Sequence, residues 1–282
     1  MKHLSFVLAF TGCSLFSNGQ MTVPSDFSRP LTPARGHYKT LAALSPKPGF
    51  SGSGQDSVKY PLDKKFEEEV LSDKPVYLLN KSLDDFQLPA PPANSSEQTR
   101  AELNYLLDLQ KTRTPEDIRS SLYMSNVFET PSDVGRSIGC WAAPQQLPLI
   151  DSLLSHITRD ADFFLWLIKF KWCRPRPFML DSYIRDLEPS RAASYPSGHV
   201  VYAYIHAYIY QELAPDFTDV FIAKADAMAH ARQIIGVHYP SDCEVSRVFA
   251  RQFVTKLFQN DKFLREFAEA KKEWIAHSGQ AL

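Results

Sequence analysis

Beyond about Tyr77, apolar residues recur along this chain at helical spacing. Leu149, Leu153, Leu154, Ile157, Ala161, Phe164, Leu165 and Ile168 draw one continuous stripe from Pro148 onward, as expected of a helix packed on a core. Arg174-Pro175-Arg176-Pro177 ends it, because proline lacks an N–H and its ring clashes with the preceding turn. Helical patterns follow from His199 to about Leu213 and from about Phe217 to Ile235. Another starts near Pro240, and an amphipathic segment at Phe263–Trp274 closes the chain. Upstream, Thr114-Pro115-Glu116-Asp117 supplies an N-cap, a proline at the first helical position and acids in the first turn. Strand signals are few. The pattern predicts an all-α fold, a helical bundle, over residues 73–282.

The first part of the chain lacks this periodicity. Residues 21–72 are rich in Pro, Gly and Ser and read as a flexible spacer. Residues 1–20 read as an export signal: basic Lys2 and His3, an apolar Leu4–Phe10, then the small Thr11-Gly12. Cys13 follows at once, as in a bacterial lipoprotein box, where such a cysteine takes a lipid. A plain signal cut before Met21 is the other reading. Either one puts the protein outside the cytoplasm, periplasmic or anchored to the envelope.

Composition narrows the partners. A formal net charge of −1 with no Lys/Arg run gives no reason to expect nucleic acid. No run approaches the ~20 apolar residues of a membrane span, which excludes a polytopic membrane protein. The four cysteines, at 13, 140, 173 and 243, are too far apart for a C-x-x-C site. Cys140, Cys173 and Cys243 can form at most one disulfide, or all three serve as small buried residues.

Three segments place cations, histidines or backbone donors at helix ends. Lys169 closes the long apolar helix, and Arg176 follows in a proline-flanked turn, a placement that suits a fixed anion. Ser197-Gly198-His199 opens the next helix, whose first N–H groups form an anion site. Arg232 precedes a loop, bracketed by Gly236 and Pro240, that presents His238. Asp242 stands four residues on, where a carboxylate can fix the imidazole tautomer.

Taken together, Lys169-x6-Arg176-Pro177, Pro196-Ser197-Gly198-His199 and Arg232-x5-His238-x3-Asp242 resemble the tripartite signature of the phosphatidic-acid-phosphatase-type acid phosphatase and vanadium haloperoxidase superfamily. Within it the chain is similar to the bacterial class A non-specific acid phosphatases. Leu88-Pro89-Ala90-Pro91-Pro92 and Ala193–Val200 match two more of their blocks. The likeness runs from about Tyr77 to Trp274. Ala231, Val200 and Ala193 depart from it, losing two hydroxyls and a glycine but no titrating group.

The resemblance implies an exported phosphomonoesterase with no cofactor and no metal. Lys169, Arg176 and Arg232 would cage the phosphoryl oxygens, and Ser197 and the Gly198 N–H would add donors. His238 would attack phosphorus to form a phosphohistidine, Asp242 would orient it, and His199 would protonate the leaving group. The substrate would be a small phosphomonoester, and the family's tendency to dimerise hints at a homodimer. Two other readings stay open: vanadate-dependent haloperoxidase or lipid-phosphate chemistry on the same cage, and a non-enzymatic anion-binding surface lipoprotein. Sequons at Asn80 and Asn94 would matter only in a eukaryotic secretory pathway.

Overall fold

A computed structural model describes residues 54–127 and 146–278. The export signal, Cys13, Cys140 and most of the spacer lie outside them. Nine helices are present among the described residues and no strand, so the fold is all-α. They are α1 (Lys64–Val70), α2 (Glu97–Thr112), α3 (Pro115–Val127), α4 (Pro148–Trp172), α5 (Pro177–Leu180), α6 (Gly198–Leu213), α7 (Thr218–Ile234), α8 (Pro240–Leu257) and α9 (Asp261–Ser278). None of the described helices is long and apolar enough to cross a membrane.

Helix α6 is the axis of the bundle. It buries residues on every side, from Val200 through Tyr210, as a helix without a polar face must. It packs on α7, α8 and α4, while α9 covers α4 and α3 covers α7. The stripe seen in the sequence is buried in α4, where Leu153, Leu154, Ile157, Phe164 and Ile168 join the main core, except for Leu149, which lies exposed in the first turn. Helix α3 begins as expected: the Asp117 N–H donates to Thr114 Oγ1 at 3.1 Å, and the Thr114 N–H donates to the Asp117 carboxylate at 2.8 Å. Helix α4 stops one step before its prolines. Cys173 takes a left-handed conformation (φ 45°) and its N–H closes on Lys169 O at 2.9 Å, a helix C-cap made without glycine.

The spacer is shorter than the composition suggests. Residues 58–72 carry α1, and the Tyr60 N–H donates to Cys173 O at 2.8 Å. Asn94 Nδ2 holds the carbonyls of Gln55 and Val58 at 2.8 and 2.9 Å. A Pro/Gly/Ser-rich composition marks the lack of helical period, but it does not exclude an irregular strap hydrogen-bonded to the body. Asn94 is thereby buried. Cys173 and Cys243 are free thiols, so they form no disulfide with each other.

Asp160, fully buried on α4, anchors the segment that enters the bundle. Its carboxylate accepts the N–H groups of Val76, Tyr77 and Leu78, the last two at 2.8 and 2.9 Å. Asp160→Ala should therefore destabilise the fold by about 2–4 kcal/mol, since three buried N–H donors lose their acceptor. A urea midpoint within error of the wild type would show that water replaces the carboxylate.

Candidate active site

Each sequence-derived site residue sits at a helix end that points toward one place. Lys169 is in the last turn of α4, Arg176 caps α5, Ser197 caps α6, and Gly198 and His199 open that helix. Arg232 lies in the last turn of α7, and His238 precedes α8. Asp242 is in the first turn of α8. The turn between α7 and α8 depends on Gly236, whose φ is +79° and where a Cβ would meet Arg185 O at 2.9 Å. Gly198 is constrained too, since a Cβ there would lie 3.3 Å from Leu165 Cδ2.

The loop from Ala192 to Ser197 is gripped by the cations. Lys169 Nζ donates to the carbonyls of Ala193 and Pro196 at 2.7 and 2.6 Å. Arg176 Nε donates to Ala192 O at 2.8 Å, and its Nη1 donates to Val237 O at 2.7 Å. The same Nη1 stands 2.9 Å from His238 Nε2. Arg232 Nη1 donates to Ser125 Oγ at 2.5 Å, and its two terminal nitrogens meet the Glu188 carboxylate at 2.8 and 2.9 Å. Lys169, Arg176 and Arg232 are all buried.

The His238 tautomer follows from its neighbours. Nδ1 lies 3.2 Å from Asp242 Oδ2 and Nε2 lies against the Arg176 guanidinium. A guanidinium can only donate, so Nε2 carries the lone pair and Nδ1 the proton. Burial, then the Arg176 charge, pushes His238 well below the usual imidazole range and keeps it neutral. Its partner behaves oppositely. Burial favours the neutral Asp242 carboxyl, but Arg174, His238 and Ser194 together hold it below the usual carboxylate range.

His199 meets Glu188, Arg232 and the backbone of Ser125. Burial and then the charge of Arg232 lower it to about 4, so its ring is neutral in the empty site. Burial pushes the Lys169 amine well down, and the neighbouring Arg176 pushes it the same way. Burial is the larger cause, and the repulsion between gathered cations adds to it. Two polar atoms in this region are buried without a partner, Ser197 Oγ and Arg232 Nε.

Several residues behind the site carry no motif signal. Arg174, 2% exposed, donates from Nη1 to Asp242 Oδ1 at 2.7 Å and to Ser241 Oγ at 2.7 Å. Its Nη2 reaches Glu102 on α2 at 3.0 Å, and its guanidinium stacks 3.9 Å from the Tyr239 ring. Ser194 Oγ donates to Asp242 Oδ2 at 2.5 Å, and Ser246 Oγ accepts the Ser197 N–H at 2.9 Å. Arg174 could have been noticed beside Arg176 in its rigid turn. Glu102 sits 72 positions away, with no local pattern to flag it. Among the described residues, no group of three or more His, Cys, Asp or Glu side chains is arranged to hold a metal ion.

Residues 152–263 match the PAP2 superfamily. A non-specific acid phosphatase of Providencia stuartii is 30% identical over 133 residues, 45% of this chain and 54% of that protein. An acid phosphatase of Zymomonas mobilis is 26% identical over 185 residues, 64% of this chain and 66% of that one. The chain thus spans between about half and about two thirds of these relatives' lengths. A solved transmembrane PAP2-type phosphatidylglycerolphosphate phosphatase from Bacillus subtilis aligns with a TM-score of 0.42 at 17% identity, covering 57% of this chain and 85% of its own.

Arg174 is the residue whose loss should be felt most in folding. Arg174→Leu leaves the Glu102 and Asp242 carboxylates buried with their cation gone, at a cost of about 3–5 kcal/mol. Arg232→Leu, whose partner Glu188 is 27% exposed and can turn to water, should cost far less. Equal denaturation midpoints for the two variants would contradict this account of the cluster.

Proposed function

From the match of residues 152–263 to the PAP2 superfamily, we propose that this chain is a phosphomonoesterase working through a phosphohistidine, without a metal, outside the cytoplasm. The carrying observation is the pairing of two things at one point. Buried Arg176 and Lys169 act on a neutral imidazole whose Nδ1 is bonded to a buried carboxylate, and the charge of buried Arg232 acts on both cations. An anion-binding protein needs the cations but has no use for a nucleophile with a fixed tautomer.

Phosphoryl transfer asks mainly for positioning and for positive charge at the equatorial oxygens. Lys169, Arg176 and Arg232 supply that charge, with Ser197 Oγ and the Gly198 N–H as further donors. A phosphate entering the cage takes the Arg176 Nη1 donor away from His238 Nε2 and frees its lone pair. Nε2 then attacks phosphorus as the ester P–O bond breaks, and His199 gives its proton to the departing oxygen. In the second step His199 takes a proton from water, the water oxygen bonds phosphorus, and the P–N bond breaks to release phosphate.

His199 is neutral in the empty site, which is not the state of an acid. The substrate corrects this, because a dianion in the cage restores the negative charge that the cations lack and draws a proton onto the ring. Three fixed cations do what bridging metal ions do in other phosphoryl-transfer enzymes. Export rests on residues 1–20 alone. If Cys13 carries a lipid, Cys13→Ser moves the protein from the membrane fraction to the soluble one without changing its specific activity.

Hydrolysis of p-nitrophenyl phosphate should persist in excess EDTA and be inhibited competitively by vanadate and inorganic phosphate. Activity lost to EDTA and restored by a divalent metal would refute the mechanism. Bromide oxidation on adding vanadate, without phosphatase turnover, would assign haloperoxidase chemistry instead.

Labelled substrate and a quench that avoids acid should trap phosphate on the peptide containing His238. His238→Ala should abolish both label and turnover while inorganic phosphate still binds. Asp242→Asn can hold the wrong tautomer and should lower kcat by roughly 10⁴, as the equivalent change does in the serine-protease triad. Label on the peptide carrying His199 or Ser197 would reverse the assignment.

A further inference from the structure

One carboxylate in the cage takes no part in the steps of hydrolysis described above. Glu188 lies between α5 and α6 and grips Arg232 with both oxygens, Oε2 at 2.8 Å from Nη1 and Oε1 at 2.9 Å from Nη2. This two-pronged geometry is also how a guanidinium takes two oxygens of a phosphoryl group. Glu188 therefore occupies the donors on Arg232 that a substrate would use. It is not placed there by a wandering loop. The Leu187 N–H donates to Ile235 O at 3.0 Å, and the Arg185 N–H donates to Gln110 Oε1 at 2.7 Å. Ile184 is buried against Leu103, Leu106 and Tyr239. The segment is thus tied to the end of the helix that carries Arg232.

We propose that Glu188 is a specificity residue of this site, a carboxylate that competes with the substrate for Arg232 and makes phosphate binding require a proton. The inference rests on reading the cage as a phosphate site. The groups that face Glu188 are Arg232 from α7, His199 from α6, Ser125 from α3 and, at longer range, Arg176 before α5. In the empty site burial favours the neutral acid, but hydrogen bonds and charge from Arg232 outweigh it and hold Glu188 below the usual carboxylate range. A phosphate dianion that takes the Arg232 fork removes this support and sets two negative charges beside the carboxylate. Both changes push Glu188 up. Binding then draws a proton onto the Glu188–phosphate pair, so the affinity for the dianion falls as pH rises.

A simple prop for Arg232 would act with the opposite sign. If Glu188 only aimed the guanidinium, its removal would weaken phosphate at every pH. If it competes, Glu188→Gln keeps the shape, loses the charge and tightens phosphate at high pH.

Calorimetric titration of inorganic phosphate into the whole protein, in buffers of different ionisation enthalpy from pH 5 to 8, reads affinity and proton uptake together. Glu188→Gln should bind phosphate more tightly than the wild type at pH 8, by roughly a hundredfold or more, and the gap should narrow toward pH 5. It should also take up about one proton fewer near neutrality, whereas Glu188→Asp should retain the wild-type uptake. Weaker binding at all pH values, or equal proton uptake in Gln and wild type, would overturn the proposal. Should the Gln variant fail to fold, wild-type uptake at pH 8 of no more than the single proton assigned to His199 would do the same. Parallel hydrolysis of p-nitrophenyl phosphate by the wild type separates the two readings. Turnover with a weakened Gln variant removes only the role of Glu188, while absence of both turnover and phosphate binding removes the cage itself.

Discussion

The Asp242 carboxylate is the point on which the geometry of this protein turns. It sits in the first turn of α8, wholly buried, and accepts from His238 Nδ1, Ser194 Oγ, the Tyr239 N–H and Arg174. Those four donors come from the α7–α8 turn, the loop before α6, the start of α8 and the end of α4. One charged group thereby fixes the relative placement of the segments that carry Lys169, Arg176, Ser197 and His238. A buried carboxylate is costly unless its lone pairs are filled. Here the filling is complete, so displacing any of those segments would expose the cost. Arg174 extends the same logic to α2 through Glu102, where burial favours the protonated acid and Arg174 opposes it.

This arrangement divides the charges into two layers. Behind His238 lies the layer of Asp242, Arg174 and Glu102, in which every charged side chain has an opposite partner. In front lie Lys169, Arg176 and Arg232, whose bonds run mainly to backbone carbonyls, with Glu188 as the one carboxylate partner among the described residues. The paired layer gives rigidity. The front layer keeps an unmet demand for negative charge, visible in the depressed Lys169 amine and in Arg176, which burial takes down to about 10. Arg176 covers the His238 lone pair, and Glu188 covers Arg232.

How much of this was legible beforehand follows from how local each signal is. The α4 stripe, the proline stop and the cap at Thr114 are written within a few positions, and α4, α6, α7 and α8 begin within a residue or two of the expected places, while α9 runs four residues beyond Trp274. The site residues belong to compact segments at helix ends, so their convergence could be anticipated by resemblance. What could not be read comes from distant pairings. Glu102 reaches Arg174 across 72 positions, and Ser125 reaches Arg232 across 107. Glu188 shows no pattern at all in Asp186-Leu187-Glu188-Pro189. The strap at residues 58–72 was misjudged because its order comes from hydrogen bonds to the body, which leave no period in the sequence.

The positions where the chain departs from the family signature show why the departures are tolerated. Ala193 contributes its carbonyl, which accepts from Lys169 at 2.7 Å, and a backbone group is indifferent to a methyl in place of hydrogen. Val200 is fully buried in the main core, where a hydroxyl would need its own partner and an apolar side chain does not. Ala231 removes a hydroxyl next to Arg232, and Arg232 receives one from Ser125 on α3 instead. In each case the backbone, the core or another helix covers the local need, and the charged positions are left unchanged. The contacts that organise these segments therefore run through the cations, the histidine–carboxylate pair and backbone groups, and not through the side chains at 193, 200 and 231.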